Sequence, residues 1–269
     1  MIVIIRRYGQ ICNRIFQFAH FFAYCKEYKI KLLNPTFKDL NIYFGPQNED
    51  IGRAYILPLL SALPRILLCV LRGRIMNINS DEKNNQAKEV FKQKDYLVWG
   101  WGFRDHQNFL KHKDEIRQYF AINEELVRET SAEFDRKRRD FDSIIGVHIR
   151  RGDYKTWADG RYFYNDETYI SFIQQLSNLL FQQKILFVVC SNADLDQSKY
   201  ETIETDNLKF WFPKKDSINE LNLLSKCDRI IGPPSTYSHW ASFYGDVPCL
   251  HVLSGEQNIS LSDFKVCNG

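Results

Sequence analysis

The sequence has no Cys-x-x-Cys pair, no internal repeat, no low-complexity tract and little net charge. Its seven cysteines, Cys12, Cys25, Cys69, Cys190, Cys227, Cys249 and Cys267, are scattered, and an odd number leaves one over in any full disulfide scheme. Several stand inside apolar runs, where a free thiol packs as a small hydrophobe. A disulfide scaffold and a zinc framework are therefore not expected, and a reducing compartment is. The 36 basic and 33 acidic side chains leave a net charge of +3. That excess does not argue for a nucleic-acid partner, although a local basic patch facing an anionic ligand fits it. Long apolar runs are also missing: the greasiest stretch, residues 55–71, is interrupted by Pro58, Pro64 and Arg65, which disfavours a membrane span. A buried or lid-like helical segment is expected there. An interfacial segment backed by Arg65, Arg72 and Arg74 is the sharper alternative.

What the sequence does have is an alternation of apolar strands and amphipathic helices. Residues 1–5 read as a buried first strand, because Arg6 and Arg7 follow the apolar run, whereas a secretion signal puts its charges first. The chain is thus expected to fold from its first residue and to stay in the cytoplasm. A turn at 8–13 leads to a helix over 14–28, with Ile15, Phe18, Ala19, Phe22 and Cys25 at helical spacing. A strand over 29–34 follows, stopped by Pro35. This order of elements belongs to a parallel α/β sheet. Residues 77–94 read as a polar loop and 96–101 as a strand. Residues 108–140 read as helical, ending in a basic run, 136–139, that is expected to be a solvated face. After a linker at 140–143, strands are expected at 144–149, 185–190, 208–212, 229–232 and 248–253, with helices at 166–180, 217–225 and 235–244. The simplest organisation is two α/β halves, 1–142 and 143–269, with ligands at the carboxyl ends of strands.

The segment richest in chemistry is Gly146-Val147-His148-Ile149-Arg150-Arg151-Gly152-Asp153-Tyr154. An apolar strand ends there in two arginines, a glycine and an aspartate, which should place guanidinium groups in a cleft. The arginine fork suits phosphate oxygens. Gly152 permits a sharp turn and close backbone approach. Asp153 either orients an arginine or, with a raised pKa, acts as a base. A surface Arg–Asp pair is the plainer reading of any one of these residues, but the whole cluster favours an anion site.

This segment resembles the His-x-Arg-Arg-Gly-Asp-Tyr motif of alpha-1,2-fucosyltransferases and, more broadly, a motif of alpha-1,6- and protein O-fucosyltransferases. Three other stretches agree in order and spacing: GQICNRIFQFA at 9–19, WGWGF at 99–103 with Ile116-Arg117 beyond it, and CDRIIGPPSTYSHWASFY at 227–244. The resemblance implies a GT-B-like α/β fold of two Rossmann-like parallel-sheet halves around a cleft. It implies GDP-fucose as donor, inversion at the anomeric centre, and no bound metal or cofactor. The donor would lie mainly against the second half and the acceptor against the first. Arg150 and Arg151 would face the leaving diphosphate, with Asp153 fixing their geometry. The chemistry agrees: breaking a glycosyl–phosphate bond develops negative charge that, without a metal, needs a cationic partner. Asp194-Leu195-Asp196 stands in a polar loop after a strand and does not read as a metal triplet.

Further donor-binding candidates surround this motif. His148 precedes Arg150 by two and shares its side of the strand, as a core histidine or a donor contact. Asn13 and Gln17 lie one helical turn apart, and Asn13 equally suits a helix cap. Ser191, Asn192 and Asp194 follow a very apolar strand and suit guanine, ribose or a simple turn. Ser235, Thr236, Tyr237 and Ser238 open a helix whose free amides suit a diphosphate, or ordinary capping. The chain departs from the family at Gln10 and Cys12, where glycines are usual, at Pro234, where Asn is usual, and at His239, where Trp is usual. The aromatic, polar loop 154–164 either stacks on an acceptor sugar or covers the cleft. Asp153, Asp105, His106, Glu167 and the departing phosphate oxygen are all candidates for the base.

The expected function is transfer of fucose from GDP-fucose to a hydroxyl of a glycan or lipid-linked glycan, in alpha-1,2 linkage, for surface polysaccharide synthesis. Peripheral contact with the inner face of the membrane is expected, and a nucleic-acid partner is not. The competing readings are a transferase of the same fold using another nucleotide sugar, and a non-catalytic sugar- or phosphate-binding protein.

Overall fold

The apolar residues Ile2–Ile4 form a buried strand (β1) inside a four-stranded parallel sheet. Its order is β2-β1-β4-β3, with β2 at Leu32–Leu33, β3 at Ile75–Asn77 and β4 at Tyr96–Trp99. The computed structural model describes residues 1–44, 62–213 and 216–269. They fall into two units, Met1–Glu124 with Gly269, and Glu125–Asn268.

In the first unit, helix α1 (Ile11–Glu27) starts before residue 14, with Gln10 as its N-cap, so Asn13 lies inside the helix and does not cap it. Residues 55–61 lie outside the described residues, and 62–71 are helical (α2). Residues 77–94 are not a loop. They contain the end of β3 and a helix, α3 (Asp81–Val90), whose N-cap Ser80 accepts the Lys83 N–H at 3.3 Å. Periodicity misses this helix because its buried residues are Asn84 and Ala87. Asn84 docks by hydrogen bonds in place of apolar contact, donating to the Arg104 carbonyl (2.9 Å) and accepting the Arg104 N–H (3.1 Å). The long helix expected over 108–140 is three: α4 (His106–Lys111), α5 (Lys113–Tyr119) and α6 (Glu124–Arg138).

Helix α6 packs with the second unit. Thr130 donates to Asn219 (2.5 Å), Asn222 donates to Ser131 (3.0 Å), and Arg138 donates to Asp228 (2.5 Å). The division between the units therefore falls at the first residue of this helix, whereas 142/143 lies after it. Part of the basic run 136–139 is engaged, since Asp228 takes both Arg138 and the Ile144 N–H (2.7 Å), and Lys137 lies 5.1 Å over the Trp211 ring.

The second unit is built on a six-stranded sheet, β10-β9-β8-β5-β6-β7. Its strands are β5 (Ser143–Ile149), β6 (Ile185–Ser191), β7 (Leu208–Trp211), β8 (Arg229–Gly232), β9 (Pro248–His251) and β10 (Lys265–Val266). All pairs are parallel except the edge pair of β10 with β9. β5 is buried along its whole length, as an apolar run with neighbours on both sides must be. Helices α7 (Asp166–Leu179), α8 (Gln197–Glu201), α9 (Ser217–Leu224) and α10 (Thr236–Gly245) complete the unit. The core gathers Val147, Ile149, Phe172, Leu176, Phe187 and Val189, so the end of β5 is held by a packed base.

Candidate functional site

At the end of β5 the chain leaves the sheet and tightens into a short 3-10 turn, Gly152–Lys155. Arg150 donates from Nε to Asp153 Oδ1 (2.9 Å) and from Nη2 to Oδ2 (3.1 Å), a two-point pairing, while its guanidinium lies 5.6 Å over the Tyr154 ring. The hydrogen bond from Arg150 holds the Asp153 carboxyl below the usual carboxylate range. That shift is opposite to what a base needs, and it makes Asp153 the residue that orients Arg150.

Arg151 is fixed at three points. Its N–H donates to Asn192 Oδ1 (2.8 Å), its Nε to the Tyr164 carbonyl (3.4 Å) and its Nη2 to Asp166 Oδ1 (2.6 Å). The same Asp166 oxygen accepts the Tyr200 hydroxyl at 2.8 Å. Among the described residues Nη1 of Arg151 has no partner, which leaves donor capacity on that edge of the guanidinium. Asp166 and Tyr200 escape sequence reading. Asp166 follows the N-cap Asn165, whose Oδ1 accepts the Thr168 N–H at 2.9 Å, so it looks like an ordinary first-turn acid.

Gly152 leaves room for Asn192: a Cβ there would lie 2.9 Å from Asn192 Nδ2, so that side chain would have to shift. Asn192 thus positions the Arg151 backbone. Ser191 Oγ is engaged in a local turn, donating to the Ala193 carbonyl (2.9 Å) and accepting its N–H (3.1 Å). Asp194 lines a pocket of about 510 Å³ beyond β6, together with Asn192, Leu195, Gln197, Phe212 and Glu220. Two carboxylates and an aromatic wall suit a planar base that carries N–H donors.

The start of α10 adjoins the end of β5. The Tyr154 hydroxyl donates to the Pro234 carbonyl, and the His148 and Tyr237 rings lie 5.1 Å apart. Ser235 caps the helix, accepting the Tyr237 N–H at 3.2 Å, and Thr236 is its first residue. Ser238 faces inward: fully buried, it donates to the Ser235 carbonyl (3.3 Å) and meets His251 Nε2 (3.1 Å), so it is not a ligand contact. His148 is also buried, and burial pushes its pKa down to about 3, with the Arg150 charge adding to the effect. It is a neutral imidazole whose Nδ1 has no partner among the described residues.

Glu167 apart, the remaining candidates belong to the first unit. A Cβ on Gly9 (φ 67°) would collide with the Asn13 side chain, and Gln17 is buried, donating to the Gly100 carbonyl at 2.5 Å. Gln17 is thus a brace for the end of β4. Asp105 caps α4 from a buried position, and His106 contacts the Gly269 carbonyl. Glu167 pairs with Lys199, which holds its carboxyl low. The loop after the motif carries an aromatic ladder, Tyr154–Trp157 at 4.8 Å and Trp157–Tyr162 at 5.5 Å between centroids. Ala158 (φ 51°) and Asp159 (φ 55°) follow one another there in left-handed backbone, which L-residues adopt only at a cost of about 1–2 kcal/mol each.

A family model described as Glycosyl transferase family 11 matches residues 10–263. Over 236 residues the chain is 24% identical to a galactoside alpha-(1,2)-fucosyltransferase 1 of Oryctolagus cuniculus, covering 80% of this chain and 60% of that protein. Over 183 residues it is 27% identical to the protein of the same description from Bos taurus, covering 61% and 46%. The chain therefore spans about half of the length of these curated relatives. Among solved structures, an Arabidopsis thaliana FUT1 mutant in complex with GDP superposes with a TM-score of 0.63 at 12% identity, covering 98% of this chain and 73% of that one. POFUT1 in complex with GDP-fucose gives 0.58 at 12% identity, covering 91% and 94%. The fucosyltransferase NodZ from Bradyrhizobium gives 0.56 at 16% identity, covering 93% and 94%. At such identities the likeness is one of fold, and it carries the GT-B-like class with two Rossmann-like halves.

Proposed function

We propose that this chain, which belongs to glycosyl transferase family 11, moves fucose from GDP-fucose to a hydroxyl of a glycan or lipid-linked glycan acceptor. The linkage formed is alpha-1,2, the anomeric centre is inverted, and no metal or cofactor serves the transfer. The observation that carries this reading is the pair of carboxylate-fixed guanidinium groups, Arg150 with Asp153 and Arg151 with Asp166, just past the end of β5. When the sugar C1–O bond breaks, its electrons stay on the diphosphate. Preorganised guanidinium donors and helix amides stabilise that charge without reorganising at the moment of reaction. The carboxylates hold the forks in place, and Asp194 and Glu220 suit the N–H edge of guanine. The alpha-(1,2) descriptions of the curated relatives support the linkage, and the GDP and GDP-fucose complexes of the structural neighbours support the donor.

The acceptor side is assigned to the first unit, Met1–Glu124. In the second unit the exposed Trp157 offers a stacking surface for a sugar ring. A role in surface polysaccharide synthesis on the cytoplasmic side of a membrane accords with an amphiphilic α2. Leu63, Leu67, Leu68, Val70 and Leu71 are exposed on it, with Arg72 and Arg74 following. Arg65 drops out of that basic group because Asp95 pairs with it at two points (2.7 and 2.6 Å). Among the described residues no helix is long and apolar enough to cross a membrane.

The reading is tested by a panel of nucleotide sugars in binding and turnover, with no divalent metal added. GDP and GDP-fucose should raise the melting temperature, and GDP-fucose should be consumed with a galactoside acceptor. Turnover of a UDP-sugar or another GDP-sugar while GDP-fucose is left intact would overturn it.

A further inference from the structure

Three side chains far apart in the chain meet at the edge of the second unit's sheet: His239 on α10, His251 at the end of β9, and Cys267 just past β10. Their ligand-bearing atoms all lie within 4.8 Å of one another, and all three residues are half-buried, within reach of an ion. Tetrahedral zinc, with bonds of about 2.0–2.3 Å to nitrogen and sulfur, sets its ligand atoms about 3.3–3.8 Å apart, so closure needs movements on the order of 1 Å.

Polar groups flank both imidazoles. His251 Nε2 lies 3.1 Å from Ser238 Oγ, and His239 Nε2 lies 3.4 Å from the Asn268 carbonyl oxygen. Hydrogen-bonding the far nitrogen of a histidine is how outer partners orient metal ligands. The Cys267 backbone is anchored as well: its N–H donates to Ser242 Oγ (2.9 Å), which donates to the Val247 carbonyl (2.6 Å).

We infer that His239, His251 and Cys267 bind one zinc-class divalent ion, with water in the fourth position. Two imidazoles and a thiolate select a borderline-soft ion such as zinc over magnesium or calcium. The ion has no part in the diphosphate chemistry. It ties the antiparallel edge strand β10 and the end of β9 to the helix whose first turn meets the His148 ring.

The test is a spectroscopic titration of tag-free protein, stripped with chelator, with Co²⁺ and then Zn²⁺. One equivalent of Co²⁺ should give tetrahedral d–d bands and a thiolate-to-cobalt charge-transfer band, and Zn²⁺ should bleach both. Zn²⁺ should also raise the melting temperature by a few °C, on the order expected for tight binding to the folded state alone. Cys267→Ser should lose the charge-transfer band and His239→Ala the tetrahedral bands, while Cys69→Ser in the first unit keeps both. Circular dichroism of each stripped variant shows whether it has folded. Folded wild-type protein with no charge-transfer band, or a band that persists in folded Cys267→Ser, would overturn the site.

Discussion

Arg151 and Asp166 lie 2.6 Å apart, Nη2 to Oδ1, and join the end of β5 to the first turn of α7. Both side chains are largely withdrawn from water, at 14% and 11% exposure. A pair in that position is poor value as stability alone, because desolvation offsets much of its attraction. Its consequence is geometric: the guanidinium is held in one orientation, with Nη1 left for a ligand. Asp166→Asn keeps the shape and removes the charge. It should lower kcat by about 10-fold or more, because an orienting contact to a transition-state donor is loosened. Tyr200→Phe should cost about 1 kcal/mol of stability and little rate. Turnover and chemical denaturation of the two variants check this, and an Asp166→Asn enzyme with wild-type kcat would contradict it.

Gly152→Ala should act through Asn192. The new Cβ would stand 2.9 Å from Asn192 Nδ2, so that side chain must move and its Oδ1 releases the Arg151 N–H. GDP affinity should fall several-fold while stability changes by only about 0.5 kcal/mol, because both residues are exposed. Titration calorimetry reads the affinity, and unchanged GDP binding would show that the close approach is unimportant.

His148 makes the stability depend on pH. Its folded pKa of about 3 lies below the ordinary histidine value of 6.5, so between these values the unfolded chain binds more protons. Its contribution is therefore fully present above pH 6.5 and is lost as the pH falls toward 3, by up to about 1.4 kcal/mol per pH unit. Urea melts from pH 7 to 4.5 should show this decline, and folded His148→Gln should make it shallower, the remainder coming from the buried His20 and the half-buried His251, whose pKa values are lowered too. An equally steep decline in the variant would assign the effect elsewhere.

For α2, low-salt sedimentation with anionic vesicles should show weak binding that fades as salt rises, because Arg72 and Arg74 act over about one Debye length. Substituting both by Glu should abolish it. Absence of binding at low salt would leave the exposed leucines without this role.

The second unit was legible in the sequence for physical reasons. β5 and β6 are continuous apolar runs, and Asn165, Asp216 and Ser235 cap the helices that follow, so the expected elements lie within a few residues of those found. Helix α3 was not legible because it docks through Asn84, and β3 and β10 were not because they are too short to show alternation. Within the site, the Arg150–Asp153 partnership is readable at a spacing of three. The Arg151 partners, Asp166 and Asn192, come from separate elements and need the fold to bring them together. Composition also could not show that Ser238 turns inward while Ser235, three residues before it, caps the helix.

The central claim is that Arg150 and Arg151 stabilise a departing diphosphate. Its most direct test is steady-state consumption of GDP-fucose, with acceptor and no added metal, by wild type, Arg150→Ala, Arg151→Ala and the two Lys variants. The account predicts a loss in kcat of at least about 100-fold for each alanine protein. It also predicts partial recovery with Lys, which keeps the charge but loses the planar fork, and unchanged circular dichroism throughout. Ordinary turnover by both folded alanine proteins would contradict it.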